Sequence, residues 1–218
     1  MEIIATFVDL FLRLDEHLAA LITQFGPWTY VLLFGIIFAE TGLVVTPFLP
    51  GDSLLFAAGA LASTTHTLHP VTLIITLTLA AIIGDSVNYS IGHFIGPRVF
   101  TEKVPLLKKE HLDKTHAFYE KHGGKTIILA RFIPIIRTFA PFVAGVGAMT
   151  YGKFITFNVI GALMWVPLFT LMGYFFGNLP FVQENFEYLV IAIIIISVLP
   201  AVFEFLKERR AQKQAQTT

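Results

Sequence analysis

The chain has 218 residues, of which 55% are hydrophobic and only 14% are charged. Soluble domains average about 25% charged residues, so this composition indicates an integral membrane protein. Equal numbers of basic and acidic residues leave a formal net charge of zero, which argues against nucleic acid as a partner. The chain contains no cysteine, which excludes disulfides, thiolate catalysis and cysteine–metal sites. We expect a single membrane domain over residues 1–218.

Residues 1–25 predict an amphipathic N-terminal helix. Apolar residues recur at helical spacing between Phe7 and Ile22, but charged residues such as Asp15 and Glu16 interrupt the middle of the pattern. This favours a helix that lies at the membrane interface, or packs on the helix bundle, over a clean membrane span. The sequence leaves these two alternatives open.

The first of two predicted repeats, residues 28–97, begins with an apolar segment that is broken in its middle. Between Tyr30 and Thr65 the only charged residues are Glu40 and Asp52, and two prolines and a glycine interrupt the helix pattern between them. Proline removes a backbone donor and crowds the preceding turn, so one continuous helix is unfavourable. The pattern predicts a re-entrant hairpin, or two helices that meet at a broken tip, where irregular backbone is shielded from lipid.

A long apolar helix is predicted for residues 71–97, in which Asp85 is the one Asp, Glu, Lys or Arg residue. Asp85, Asn88 and Tyr89 fall on one face of this helix, at spacings of three and four residues. An ionisable residue inside a membrane is costly and by default marks a substrate or ion path. These three side chains are therefore candidate binding residues, with a polar contact between helices as the alternative.

The second predicted repeat, residues 126–177, supplies basic side chains instead of acidic ones. Arg131 and Arg137 are the only charged residues in the stretch 126–152, which also contains two prolines seven residues apart. Buried guanidinium groups next to prolines are unfavourable in a soluble core and in a plain membrane-spanning helix. We predict a second re-entrant hairpin over residues 126–148, followed by a long transmembrane helix.

The distribution of basic residues predicts the orientation in the membrane. Residues 98–125 contain seven basic and four acidic residues, and the tail 207–218 is also basic, so both should be cytoplasmic. The segment 178–187 contains acidic residues and no Lys or Arg, and should lie outside. A C-terminal transmembrane helix over residues 186–206 would return the chain to the cytoplasm. This arrangement is consistent if residues 126–148 enter the membrane and return on the same side.

The two repeats look alike and are predicted to be inverted. Each hairpin ends in a glycine, Gly59 or Gly145, and each long helix closes on the pattern G-[HY]-F-[IF]-G, at residues 92–96 and 173–177. Glycines at this spacing permit close helix packing. The first long helix would run inward and the second outward, an architecture that places binding sites at the midplane between broken helices. The acids of one hairpin would then meet the bases of the other.

Four stretches of the sequence resemble the DedA family of bacterial inner-membrane proteins: ETGLVVTPFLPGDSLLFAAGALAS, GDSVNYSIGHFIG, FYEKHGGKTIILARFIPIIRTFAPFVAG and NVIGALMW. The resemblance covers nearly the whole chain. It implies the VTT, or SNARE-associated, fold that is shared with eukaryotic lipid scramblases, and lipid translocation in membrane homeostasis. Undecaprenyl phosphate or a phospholipid is the implied substrate, with coupling to protons. The acidic pair and the arginine pair that family members require match Glu40, Asp52, Arg131 and Arg137.

Each of these four residues also has a structural interpretation. Arg131 and Arg137 would either bind a phosphate group, which suits planar guanidinium groups better than lysine, or lock the hairpins through salt bridges. Asp52 would either cap a helix or belong to the site. Glu40 has no capping role in its apolar stretch, which favours a charge partner or a proton carrier.

The sequence therefore predicts a membrane translocator of an anionic or phosphate-containing lipid. An enzyme is not expected, because an intramembrane lipid phosphatase needs an acid–base histidine or a metal cluster, and no histidine neighbours the arginines in the sequence. The alternatives are proton-coupled export of a small solute and a non-transport role in membrane assembly. We expect no metal or other cofactor. The expected partners are membrane lipids and protons, and the sequence leaves a homo-oligomer open.

Overall fold

The computed structural model describes residues 14–43, 51–65, 67–99, 119, 123–185, 188 and 192. All regular secondary structure in these residues is helical, which confirms the predicted all-α class. The first 13 residues, and most of the predicted basic loop, C-terminal transmembrane helix and tail, lie outside the described residues.

The helices are, in chain order, α1 (Leu14–Phe25), α2 (Thr29–Gly42), α3 (Gly51–Thr64), α4 (Pro70–Val99), α5 (Lys125–Ala130), α6 (Pro134–Val143), α7 (Tyr151–Phe176) and α8 (Pro180–Glu184). A 3-10 turn, Gly26–Trp28, joins α1 to α2, and a π-helical turn, Ala144–Ala148, follows α6. Three of the helices, α4, α6 and α8, begin with proline. Proline is tolerated there because the first N–H groups of a helix have no partner within it.

Three segments of the described chain are long and apolar enough to cross a membrane: His17–Gly42, Pro70–Ile95 and Tyr151–Phe176, of 26 residues each. Pro70–Ile95 and Tyr151–Phe176 are continuous helices of about 39 Å, which exceeds the roughly 30 Å of hydrocarbon in a bilayer, whereas His17–Gly42 contains the 3-10 turn Gly26–Trp28. By the same measure α3, α5 and α6, with 14, 6 and 10 residues, reach about 21, 9 and 15 Å. These three helices are too short to cross a bilayer.

The N-terminal helix packs on the bundle. Leu18 and Ile22 of α1 are buried in the same apolar core as α3, and α1 contacts α3 directly. Gly26 lets the chain turn between α1 and α2, because its φ of 51° is a conformation that favours glycine. Of the two alternatives for this region, residues 14–25 adopt packing on the bundle. From His17 onward they form, together with the Gly26–Trp28 turn and α2, the first of the three long apolar segments.

Glycines bring α3 and α7 into close contact. A Cβ atom at Gly59 of α3 would overlap the backbone of Thr170, and a Cβ atom at Gly173 of α7 would overlap the backbone of Phe56. Both backbones therefore need the absence of a side chain at these two positions. The crossing joins the glycine of the first predicted hairpin to the glycine motif of the second long helix.

A second crossing, between α4 and the end of α6 with the π-helical turn that follows it, has the same register. A Cβ atom at Gly92 would overlap the backbone of Phe142, and a Cβ atom at Gly145 would overlap the backbone of Tyr89. In both crossings the contacted residue lies three positions before the glycine of the partner helix. The predicted packing role of the glycines that open the two G-[HY]-F-[IF]-G motifs is therefore confirmed.

The described core consists of two apolar clusters. Along α4, Leu77 belongs to the larger cluster and Tyr89 to the smaller one. Along α7 the order is reversed, with Phe154 in the smaller cluster and Trp165 in the larger. Between these positions both helices present buried polar side chains. A polar layer thus lies between the two clusters, where the shorter helices α3 and α6 meet the long helices α4 and α7.

Candidate functional site

The polar layer consists of charged and amide side chains that are each 6% exposed or less. They are Glu40 of α2, Asp52 of α3, Asp85 and Asn88 of α4, Arg131 between α5 and α6, Arg137 of α6 and Asn158 of α7. Asp85 lies about 22 Å along the helix from the Pro70 end of its span and about 15 Å from the Ile95 end. In a membrane this layer would lie deep within the hydrocarbon.

Arg137 bridges Glu40 of α2 and Asp52 of α3. Its Nη1 donates to Asp52 Oδ1 at 2.8 Å, and its Nη2 donates to Glu40 Oε1. Three helices, α2, α3 and α6, each supply one member of this group. The predicted meeting of Glu40 and Asp52 with an arginine of the second repeat is observed at Arg137.

The start of α3 shapes the acidic side of this group. The Gly51 N–H donates to Glu40 Oε1 at 3.1 Å, and a Cβ atom at position 51 would overlap the Glu40 carboxylate. Glycine is therefore needed for the backbone to approach Glu40 this closely. Asp52 lies in the first turn of α3, but its Oδ1 accepts a hydrogen bond from Arg137. A helix-capping role alone does not account for this contact.

Arg131 has different partners. Its Nη2 donates to Asp85 Oδ2 at 2.5 Å and also to Asn158 Oδ1. Asn158 is oriented by its own Nδ2, which donates to the Ile82 carbonyl at 3.0 Å. The expectation that both arginines face the hairpin acids is therefore wrong for Arg131, which pairs with the long helix α4. The reason is positional: Arg131 lies before α6, next to the crossing of α4 and α7.

Sequence reasoning missed Asn158 and Trp165, both on α7. Trp165 is fully buried, and its Nε1 donates to Asp52 Oδ1 at 2.8 Å. Its ring centroid lies 5.0 Å from the Cζ atom of Arg137 and 5.8 Å from that of Arg131. A spacing of seven residues places Asn158 and Trp165 on one face of the helix. That spacing, in a helix without acidic residues, is the signal that could have identified them.

Asn88 and Tyr89, which were predicted as binding residues, bind backbone carbonyls. Asn88 Nδ2 donates to the carbonyl oxygens of Thr41 at 3.0 Å and Thr138 at 2.8 Å. The Tyr89 hydroxyl donates to the Met149 carbonyl at 2.8 Å. These bonds tie α4 to α2, α6 and the segment before α7. These bonds are polar contacts between helices, the alternative given for the two residues. Asn88 Oδ1 has no partner among the described residues and Tyr89 lines a cavity, so their role in binding stays a prediction.

The charges in the layer are unequal in number. Three carboxylates, Glu40, Asp52 and Asp85, lie with two guanidinium groups, Arg131 and Arg137. Within the described part of the chain, Glu40 Oε2 and the Nε atoms of both arginines have no hydrogen-bond partner. Buried polar atoms without partners are rare and costly. The layer therefore retains one carboxylate acceptor and two guanidinium donors that can bind a polar group entering it.

A cavity of ≈ 1340 Å³ lies where α4 ends and α7 begins. Its wall includes Lys153 and a set of apolar and aromatic side chains: Tyr89, Phe94, Tyr119, Met149, Tyr151 and Phe157. The Tyr119 hydroxyl donates to the Ala140 carbonyl at 2.9 Å, and burial raises the pKa of this hydroxyl. Tyr89 lies one helical turn after Asp85, so the cavity adjoins the polar layer along α4.

Long apolar helices around a buried, charge-paired layer define a multi-pass membrane protein with a candidate site inside the bilayer. Residues 49–175 match the family model of the VTT domain. The chain is 55% identical to Protein DedA of Escherichia coli strain K12 over 99% of both chains. It is 33% identical to the inner membrane protein YqjA of the same strain, over 80% of this chain and 79% of that one.

A further relative is an uncharacterized membrane protein of Mycobacterium tuberculosis, which is 44% identical over 83% of this chain and 80% of that one. No solved structure matches the chain. The protein belongs to the DedA family of VTT-domain membrane proteins. It is accordingly a protein of the bacterial inner membrane.

Proposed function

We propose that the protein translocates an anionic lipid across the inner membrane by binding its phosphate headgroup at the buried arginines. The observation that carries this proposal is Arg137, a buried guanidinium group that bridges Glu40 and Asp52 deep in an apolar bundle. The guanidinium fork binds phosphate through two parallel hydrogen bonds, which the point charge of lysine cannot reproduce. The hydrocarbon part of the lipid would stay in the bilayer.

The proposed architecture is a pair of inverted repeats, each with a re-entrant hairpin. Two observations support it: α3, α5 and α6 are too short to cross a bilayer, and the two glycine crossings share one register. In this arrangement the basic loop and the C-terminus face the cytoplasm. The polar layer then lies between the hairpins and is reached from either side when the halves move against each other.

In the mechanism that we propose, Glu40 and Asp52 occupy Arg137 when no headgroup is bound. An arriving phosphate competes for the Nη1 and Nη2 donors and displaces the carboxylates. The displaced carboxylates take up a proton, because unpaired buried carboxylates are costly. Release of the phosphate returns the carboxylates to Arg137 and the proton to water. The excess of one carboxylate over the guanidinium groups supports a layer that exchanges protons.

The cavity next to the layer supports an amphiphilic substrate. It is large enough for part of a lipid, its wall is mostly aromatic and apolar, and Lys153 lies on it as a cationic side chain. Such a wall suits a hydrocarbon chain whose headgroup is anionic. Its position beside Tyr89 would let a lipid approach Asp85 and Arg131 along α4.

The test is reconstitution of the purified protein in liposomes. Flip rates of labelled undecaprenyl phosphate and of phosphatidylethanolamine are compared with and without a pH gradient. We expect Arg137→Lys to stay folded but to lose roughly tenfold or more in rate, the equivalent of one charge-assisted hydrogen bond. Lys125→Ala, an exposed site at the start of α5, is the matched control and should keep the rate of the unaltered protein.

Glu40→Gln tests the proton step in the same liposomes. It removes a carboxylate but keeps the shape of the side chain, so we expect lipid movement that no longer responds to the pH gradient. Equal activity of the unaltered protein, Arg137→Lys and Arg137→Ala would overturn the phosphate site. If neither lipid moves and a pH gradient drives efflux of a small solute instead, the exporter replaces the lipid translocator as the proposed function.

A further inference from the structure

Trp165 lies next to both buried arginines, Arg131 and Arg137. Its indole is fully buried on α7, and its Nε1 donates to Asp52 Oδ1 at 2.8 Å. The Cζ atoms of Arg137 and Arg131 lie 5.0 and 5.8 Å from the ring centroid, within the roughly 6 Å range of cation–π contacts. One side chain thus contacts a carboxylate and both guanidinium groups of the layer.

The hydrogen bond from the indole restrains Asp52. Asp52 Oδ1 accepts from Trp165 Nε1 and from Arg137 Nη1, each at 2.8 Å. The indole N–H can only donate, so this bond exists only while the carboxylate faces the ring. The carboxylate is therefore held in one orientation, toward Arg137, by a group that has no charge of its own.

The face of the ring restrains the two guanidinium groups. Arg131 and Arg137 are like charges in a buried environment, where their repulsion is poorly screened. A tryptophan ring attracts cations more strongly than any other side-chain ring. Because the indole is rigid and buried, it fixes the separation at which both cations can bind.

We propose that Trp165 is the positioning residue of the site. It couples Arg137 and its two carboxylate partners to Arg131 and Asp85. Movement of Asp85 or Arg131 would change the environment of the indole, and the indole would pass the change to Asp52 through its N–H bond. The inference rests on the proposed function only in one respect, that the site positioned in this way is the headgroup site. The coupling itself can be measured without any lipid.

The first test is spectroscopic. The chain has two tryptophans, and Trp28 is 69% exposed, so Trp28→Phe leaves Trp165 as the sole indole reporter. Indole emission responds to charges near the ring and to the acceptor of its N–H group. We expect both Asp52→Asn and Asp85→Asn to change the emission of Trp165 in this background. Lys125→Ala is the matched control and should leave it unchanged.

The outcome at Asp85 decides the coupling. Asp85 reaches the indole through Arg131, so an emission change in Asp85→Asn supports transmission across the ring. Unchanged emission in Asp85→Asn, with the expected change in Asp52→Asn, would overturn the coupling. Neither result depends on translocation, so failure of the coupling and failure of the proposed function are distinguishable.

The second test is the variant Trp165→Phe, which keeps an aromatic ring and removes the N–H donor. We expect its half-saturating concentration of undecaprenyl phosphate in liposomes to rise about tenfold, from loss of a hydrogen bond to a charged group. The maximal rate should change less, because both guanidinium groups are retained. Trp165→Leu, which also removes the ring, should be worse than Trp165→Phe in half-saturation.

A merely structural tryptophan would give another pattern. Thermal unfolding in detergent is measured for both variants, together with inorganic phosphate titrations of the single-tryptophan protein. If Trp165→Phe and Trp165→Leu lose thermal stability but keep the half-saturation of the unaltered protein, the positioning role is wrong. If phosphate changes the emission of Trp165, and Arg137→Lys abolishes this change, the positioning role is supported.

Discussion

The two halves of the described bundle, residues 29–99 without 44–50 and 66, and residues 123–177, share the register of their glycine crossings and have opposite charges. Gly59 and Gly145 take corresponding places in the two helix crossings, and so do Gly92 and Gly173. All three buried carboxylates nevertheless lie in the first half, and both buried arginines lie in the second. The likeness is in the crossings and the difference is in the charges. The candidate site is therefore complete only when both halves are packed together.

The charge difference has an energetic consequence. Burying an ion pair costs desolvation free energy that the attraction between the charges only partly offsets, so such pairs are weak evidence for stability. Two apolar halves with the same crossings could pack without them. Retention of five charges in an apolar bundle is better explained by a ligand or an ion that the charges bind.

The largest effect is expected from Arg137→Ala. It would leave two buried carboxylates, Glu40 and Asp52, without their shared cation, and breaking a buried pair costs about 3–5 kcal/mol. Arg131→Ala strands a single carboxylate, Asp85, and should cost less. The measurement is thermal unfolding of both variants in the same detergent. If both variants lose the same stability, the second carboxylate at Arg137 adds no cost, and the prediction is wrong.

The next effect tests the likeness of the two halves. A Cβ atom at Gly92 or at Gly173 meets backbone, which cannot yield cheaply, so each alanine variant should lose about 1–3 kcal/mol. The two losses should be similar because the crossings share one register. Gly35→Ala is the control, since nothing lies within 4 Å of its Cβ position, and it should be neutral or stabilising. A large loss in only one of the two crossings would break the correspondence.

A smaller loss is expected for Asn158→Ala, which tests how Arg131 differs from Arg137. The variant removes an acceptor from Arg131 and the donor to the Ile82 carbonyl, at about 1–2 kcal/mol. Ser86→Ala is the comparison, because Ser86 Oγ donates to the same Ile82 carbonyl at 2.7 Å and lies 3.5 Å from Asn158 Nδ2 but does not contact Arg131. Unfolding of both variants in detergent gives the comparison. A loss as large as that of Arg137→Ala would mean that Asn158 does more than accept one bond and donate another.

The sequence identified the charged members of the site because charges in apolar stretches are conspicuous. Glu40, Asp52, Asp85, Arg131 and Arg137 all lie in such stretches, and all five are in the buried layer. Their pairing could not be predicted in the same way. Which acid faces which arginine depends on the rotation and axial position of each helix in the bundle, and sequence spacing within a helix does not determine either.

The residues that were missed lack a charge. An asparagine and a tryptophan in an apolar helix usually pack or hydrogen-bond locally, so the seven-residue spacing of Asn158 and Trp165 is the one signal that could have separated them from that background. Conversely, Asn88 and Tyr89 were predicted because they follow Asp85 on one helix face. Their side chains instead bind backbone carbonyls, which sequence alone cannot show.

The smallest effect comes from the hydroxyl groups at corresponding places in the two crossings. Tyr89 and Thr170 each lie three residues before the glycine of their helix, but the Tyr89 hydroxyl donates to Met149 whereas Thr170 Oγ1 has no partner among the described residues. Tyr89→Phe should therefore lose about 0.5–1.5 kcal/mol, whereas Thr170→Val should lose nothing or gain slightly. Thermal unfolding of the two variants checks this. A loss in Thr170→Val would show that its buried hydroxyl has a hydrogen-bond partner in the folded protein, and the two crossings would then be alike in their hydrogen bonds as well as in their glycines.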